Sequence, residues 1–192
     1  MIRKRFIHNN IFVLLIIFNE MVIPYFCIKI IKEIISVNEI TLIINGTGNQ
    51  RILSNNTNIL NPSLLDVNGN PLNGTKTVNL NSELSTIKII WDSPFSNCSA
   101  MFRDLDNIVE INLSNFNSSL LTDTGEMFYG CYSLKSLNLS NFNTSKVNNM
   151  ANMFQDCESL EVLDISSFDT SFVENMGHMF KGCRSLKSLK FE

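Results

Sequence analysis

The stretch MFYGCYSLKSLNLSNFNTSKVNNMAN (127–152) runs without a gap into MFQDCESLEVLDISSFDTSFVENMGH (153–178), and MFRDLDNIVEINLSNFNSSLLTDTGE (101–126) precedes it. Met-Phe recurs at 101, 127, 153 and 179, so the period is 26 residues, and the fourth unit (179–192) stops at its fourteenth position. A period of this size is the mark of a repeat architecture, in which one unit cannot bury its own apolar face but stacked copies can.

The columns of the repeat define the expected core. Phe102, Phe128, Phe154 and Phe180 share one position, and Phe116, Phe142 and Phe168 another. Cys131, Cys157 and Cys183 align, with Leu105 in their place in the first unit. Leu134 and Leu160, Leu137 and Leu163, Leu139 and Ile165 form three further apolar columns, followed by Val147 with Val173 and by Met150 with Met176.

Each unit carries two periodicities. Leu134, Leu137 and Leu139 end in period two, which predicts a short strand with one buried face. Val147, Met150, Met153, Phe154 and Cys157 step by three, three, one and three, which predicts the apolar stripe of an amphipathic helix. Asn143-Thr-Ser145 and Asp169-Thr-Ser171 fall where its N-cap belongs, Ser171 and Glu174 have capping-box spacing, and Gly130 and Gly182 sit where it should stop. The expected fold class is therefore an α/β solenoid with one parallel strand and one helix per repeat. The cysteines recur at equivalent helix sites, and such sites lie about 10 Å apart. That is beyond disulfide reach of about 4.4–6.8 Å between Cα atoms, so they are expected as buried free thiols.

The motif Met-Phe-x-x-Cys-x-Ser-Leu-x-x-Leu-x-Leu-Ser-x-Phe-x-Thr-Ser-x-Val-x-x-Met resembles the BspA-type leucine-rich repeat, the 26-residue repeat of bacterial surface proteins. Cys131 to Met150 and Cys157 to Met176 carry the likeness, while the first unit departs from it with Leu105 for Cys and Thr124 for Met. The resemblance implies a leucine-rich-repeat-like fold and a surface-exposed or secreted protein for adhesion and partner binding. It implies no catalytic residue.

Ahead of the repeats (93–192), residues 39–92 read as a small β-rich cap of about five strands. Ile40–Ile44, Gln50–Leu53, Thr77–Leu80 and Ile87–Trp91 are strand-like, and Val67–Leu72 holds a turn. A cap covers the first apolar layer of a repeat stack. Cys98 aligns with Met150 and is expected to begin the first helix. Residues 1–35 read as an export signal: a basic start (Met1 to Arg5), then eight apolar residues, Ile11–Phe18, too few to span a bilayer. The apolar character resumes over Met21–Ile31, so cleaved signal peptide and uncleaved anchor both stand.

Asparagine occupies 27 of 192 positions, which favours turns over helix interiors. Residues 36–192 carry ten basic and sixteen acidic side chains, a balance of −6 that would repel a nucleic-acid backbone. No Ser/His/Asp set, phosphate loop or metal-ligand spacing is present, and the two histidines, His8 and His178, fall in the signal region and in a polar surface column. No enzyme activity, cofactor or metal is expected.

The polar positions between the strand leucines form outward columns: Asn112, Asn138, Asp164 and Lys190; Ser114, Ser140 and Ser166; Asn115, Asn141 and Ser167. They are the candidate ligand-facing residues, for an extracellular protein or glycan; the competing reading is a solvated face, in a structural coat protein. Eight Asn-x-Ser/Thr sequons, at Asn45, Asn55, Asn73, Asn97, Asn112, Asn117, Asn138 and Asn143, are candidate glycosylation acceptors. The fourth unit ends directly after its strand, so either the natural chain continues or its open edge pairs with a partner or a second copy.

Overall fold

The computed structural model describes residues 38–56, 59, 61–73 and 75–191. The expected signal or anchor, with His8 and Cys27, lies outside them. Ten strands follow in order: β1 (Asn38–Asn45), β2 (Gly48–Arg51), β3 (Leu64–Val67), β4 (Asn70–Asn73), β5 (Thr77–Leu80), β6 (Leu84–Trp91), β7 (Ile108–Asn112), β8 (Ser136–Asn138), β9 (Val162–Asp164) and β10 (Ser188–Lys190). They form a six-stranded sheet in the order β4-β3-β6-β1-β7-β8 and two two-stranded sheets, β9–β10 and β2–β5.

Among the described residues there is no helix. The expected α/β solenoid with one helix per repeat, and its leucine-rich-repeat-like form, are therefore overturned: the described residues are all-β. The physical reason is in the backbone. Ala100, Glu126, Asn152 and His178, one per unit, have φ of 56–59°, and Asp104, Gly130, Asp156 and Gly182, four residues further on, have φ of 56–76°. Left-handed residues at this spacing forbid a helix. The N–H groups of Met153, Gln155 and Cys157 instead donate to the carbonyls three residues back, Met150, Asn152 and Phe154, at 3.0–3.2 Å. Consecutive three-residue turns place apolar side chains at steps of three, just as a helical stripe does.

The alternate N–H groups leave the unit. Cys98, Ala100, Phe102 and Asp104 donate to the carbonyls of Asp123, Gly125, Met127 and Tyr129 at 2.8–3.0 Å. Thr124, Glu126, Phe128 and Gly130 donate in the same way to Asn149, Ala151, Met153 and Gln155, at 2.9–3.0 Å. Met150, Asn152, Phe154 and Asp156 continue the series onto Asn175, Gly177, Met179 and Lys181, at 2.7–3.0 Å. Each 26-residue coil thus lies on the next through its turn segment. The strand side is less continuous: β7 pairs with β8 and β9 with β10, both parallel, but the six-stranded sheet ends at β8.

Two aromatic ladders fill the interior. Phe102, Phe128, Phe154 and Phe180 stack at 5.5–5.8 Å between centroids with interplanar angles of 3–9°. Phe95, Phe116 and Phe142 stack at 6.1–6.3 Å, Phe168 lies tilted at 6.0 Å from Phe142, and Trp91 meets Phe95 edge-on at 5.2 Å. Cys131, Leu134, Leu139, Val147, Met150, Cys157, Leu160 and Leu163 are buried with them; Leu137, Ile165, Phe168, Phe180 and Cys183 are half-buried. Met176 is 48% exposed, unlike Met150 in its column, because no further coil lies over it among the described residues.

The β-rich segment joins the first coil directly. β1 pairs antiparallel with β6 on one side and with β7 on the other, placing Leu42 opposite both Ile87 and Ile111. The alternating burial of β1 and β6 turns Ile40, Leu42, Ile44, Ile87, Ile89 and Trp91 inward.

Phe142 is 1% exposed, stacks on Phe116 and meets Phe168 at a tilt. Phe142→Ala should lower stability by about 3–5 kcal/mol, because the ladder cannot close over the cavity. Denaturant melts showing a loss below about 1 kcal/mol would contradict this packing.

Candidate functional site: the polar columns of the stacked coils

The asparagines that dominate the composition stand at the corners of the coils, and their side chains build those corners. The Oδ1 atoms of Asn112, Asn138 and Asp164 accept the N–H groups of Ser114, Ser140 and Ser166 at 3.0–3.1 Å. At the next corner Asn117, Asn143 and Asp169 accept from Ser119, Ser145 and Ser171 at 2.9–3.2 Å. At the third, Asn97, Asp123, Asn149 and Asn175 accept from Ser99, Gly125, Ala151 and Gly177 at 2.7–3.1 Å. These are Asx turns, in which a short side chain satisfies a backbone donor two residues on. The residues expected as helix N-caps, Asn143–Ser145 and Asp169–Ser171, belong to the second of these sets, and no helix follows them.

The same chemistry explains most of the sequons. In Asn97, Asn112, Asn117, Asn138 and Asn143 the side-chain oxygen holds the N–H of the sequon's own serine. Asp164 and Asp169 keep the acceptor oxygen at equivalent corners and are not glycan acceptors. Asn45 and Asn55 are exposed outside these corners, and the side chain of Asn73 lies outside the described residues.

The candidate ligand-facing residues are thereby placed. Asn112, Asn138, Asp164 and Lys190 are exposed, as are Asn115, Ser140, Asn141, Ser166 and Ser167, while Ser114 is half-buried. Several tie coil to coil: Asn141 Nδ2 donates to the Ser114 carbonyl at 2.9 Å, and Ser167 Oγ to that of Leu139 at 3.3 Å. Ion pairs spaced by 26 residues join the last two coils, Arg184–Glu158 at 3.5 Å, Lys187–Glu161 at 3.0 Å and Lys190–Asp164 at 3.3 Å. All are exposed and each contributes little to stability. Hydrogen bonds from the hydroxyl and N–H of Ser166, with Lys190 adding to them, hold the Asp164 carboxyl below its usual range. The face therefore keeps its negative charge at Asp164 through mild acidity.

The thiols are internal. Cys131, Cys157 and Cys183 donate to the carbonyls of Phe102, Phe128 and Phe154 in the preceding coil at 3.0–3.2 Å. Burial pushes the Cys131 thiol up to about 12 and raises those of Cys98, Cys157 and Cys183. All four are unbridged. Cys98 opens the first three-residue turn, its carbonyl accepting the Met101 N–H at 3.1 Å, where a helix was expected to begin. His178 is exposed in the left-handed conformation. Among the described residues no three of His, Cys, Asp and Glu gather into a metal-ligating group.

Residues 96–190 match the model of a family described as Mycoplasma protein of unknown function, DUF285. The matched span covers the coils and stops short of β1–β6. The resemblance to the BspA-type leucine-rich repeat is corrected by this match, since the family that fits the repeats is a different one and its function is unknown. No curated protein and no solved structure matches the chain.

Two outcomes follow from the geometry. In the native protein at pH 8, a thiol reagent should label Cys183 first, and Cys98, Cys131 and Cys157 only on unfolding, because the reactive thiolate is suppressed where the thiol is buried. Rapid native labelling of Cys131 or Cys157, followed by mass spectrometry, would contradict their burial. At the corner of β8, Asn138→Ala should cost about 1 kcal/mol by orphaning the Ser140 N–H, whereas Asn138→Asp keeps the acceptor and should stay within about 0.5 kcal/mol of the parent in denaturant melts.

Proposed function

We propose that this protein is a non-catalytic recognition protein, working outside the cell or on its surface. It engages a protein or glycan ligand through the polar columns of Asn112, Asn138, Asp164 and Lys190, of Ser114, Ser140 and Ser166, and of Asn115, Asn141 and Ser167. The observation that carries this reading is the fixing of those side chains before any ligand arrives. Asn112, Asn138 and Asp164 are each clamped by an Asx turn, yet remain exposed. Clamping removes rotamer entropy that binding would otherwise have to remove. The amide hydrogens of Asn112 and Asn138, and the Asp164 carboxylate with Lys190 beside it, offer polar groups at the same position of successive coils. The basic, then apolar, start of the chain supports export.

Self-association is the second reading, in a coat rather than a receptor. Among the described residues β10 pairs on one side only, and Phe172, Met176 and Phe191 are 69%, 48% and 70% exposed. These exposed apolar side chains give a second copy an apolar surface to cover.

The test uses full-length protein on intact cells. Saturable binding should fall at least tenfold in the double variant Asn138→Asp, Asp164→Asn, whose corners keep their acceptor oxygens and whose melting temperature should be unchanged. Concentration-dependent polymerisation without saturable cell binding would favour the coat and reject recognition.

A further inference from the structure

A cleft of about 410 Å³ opens between residues 51–56, which run from the last residue of β2, and the turn 99–104 of the first coil, with Glu126 also lining it. Its walls are held by the backbone and by amides. Asn56 Nδ2 donates to the Ser99 carbonyl at 2.7 Å, the Ser54 N–H donates to the Met101 carbonyl at 2.9 Å, and Lys76 Nζ donates to the Asn56 carbonyl at 2.9 Å. Ala100 is the one apolar lining residue; the remainder are Arg, Ser, Asn, Asp and Glu.

The two guanidinium groups of this cleft differ. Arg103 is neutralised: it pairs with Glu126 and with Asp104, and lies 4.8 Å over the ring of Tyr129. Arg51 is not. Its Nη2 donates to the Asp104 carbonyl at 2.8 Å, and it forms no ion pair with a carboxylate among the described residues. One bond to a neutral carbonyl fixes the side chain and leaves most of its five donors and its full charge for something else. Arg51, a half-buried residue fixed in this way, is the guanidinium of this cleft that pairs with no carboxylate among the described residues, while Arg103 balances Asp104 and Glu126.

We propose that this cleft binds a carboxylate-bearing sugar ring, of the uronic acid type, within an acidic glycan. Arg51 takes the carboxylate, because its planar fork matches the two oxygens. The ring hydroxyls meet the Asn55 amide, the Ser99 hydroxyl and the Glu126 carboxylate. The volume lies within the ordinary range for small-ligand clefts, about 300–1,000 Å³. Side chains with hydrogen-bonding ends at every lining position but Ala100 suit a polyhydroxylated ring, whose hydroxyls they can meet, while the apolar stems between them lie against its C–H faces. This site is separate from the strand columns, so its ligand and theirs can be tested independently.

The experiment is a calorimetric titration of the full-length protein with a hyaluronan tetrasaccharide. Chitotetraose, its neutral counterpart, and tetraglutamate are the comparisons. Saturable binding of the tetrasaccharide is expected, weakening with salt, at least tenfold tighter than either comparison and at least tenfold weaker in Arg51→Gln. Asn55→Ala removes an exposed side chain outside the Asx corners and should weaken binding several-fold at an unchanged melting temperature. The proposal is overturned by the absence of saturable binding to the parent protein. It is also overturned by undiminished binding in Arg51→Gln and Asn55→Ala, or by tetraglutamate binding as tightly as the glycan. The strand-column variant Asn138→Asp, Asp164→Asn should bind the tetrasaccharide normally, so loss of cell binding and loss of glycan binding remain distinguishable.

Discussion

The N–H groups of Phe102, Phe128 and Phe154, each donated to the carbonyl of the Met 25 residues ahead, belong to the series of backbone bonds that the other features of the coils depend on. Four such bonds cross each interface between successive turn segments. They require that every second peptide point along the stack. In turn this requires left-handed residues at two positions per coil, taken by Ala, Glu, Asn and His at one and by Asp and Gly at the other. For a residue other than Gly this conformation costs about 1–2 kcal/mol, and the backbone bonds it aligns offset the cost. The near-parallel Phe rings follow, because each Phe sits on one of the bonded peptides and is carried over its neighbour at about the coil spacing.

The corners follow from the same constraint. A coil of 26 residues with only three to five of them in strand must turn repeatedly, and every turn leaves a backbone donor to satisfy. Asn and Asp satisfy it with their own side chains, three times per coil. The abundance of asparagine, the recurrence of Asn-x-Ser and the exchange of Asn for Asp at 164 and 169 are one phenomenon. Its by-product is an exposed surface whose Asn and Asp side chains are hydrogen-bonded to their own backbone.

The β-rich segment contributes something the coils lack. By pairing β1 with β7 it covers the first layer, and it brings residues 51–56 against the turn at 99–104. Within the coils the charges beside the strands are cross-paired, as in Arg184–Glu158 and Lys187–Glu161. At the junction the regular spacing is broken, and Arg51 is left facing a carbonyl.

The repeat, its period and its buried columns were legible in the chain, since identical spacing of Phe, Cys and Leu requires identical environments. Of the strands ahead of it, β1, β5 and β6 fall on stretches read as strand-like, whereas β3 and β4 flank the turn read at Val67–Leu72 and were not read as strands. What the spacing could not distinguish was a helix from a run of three-residue turns, because both place apolar side chains three apart; that choice was made by the bonds to the neighbouring coil, which exist only once coils stack. The outward placement of Asn112, Asn138 and Asp164 could be read from strand alternation, but not their engagement in Asx turns, which depends on the path of the chain two residues on. Nothing in the sequence marks Arg51. Among the described residues its guanidinium meets the carbonyl of Asp104, 53 residues away, and no carboxylate, and a contact between segments so far apart is set by tertiary packing alone.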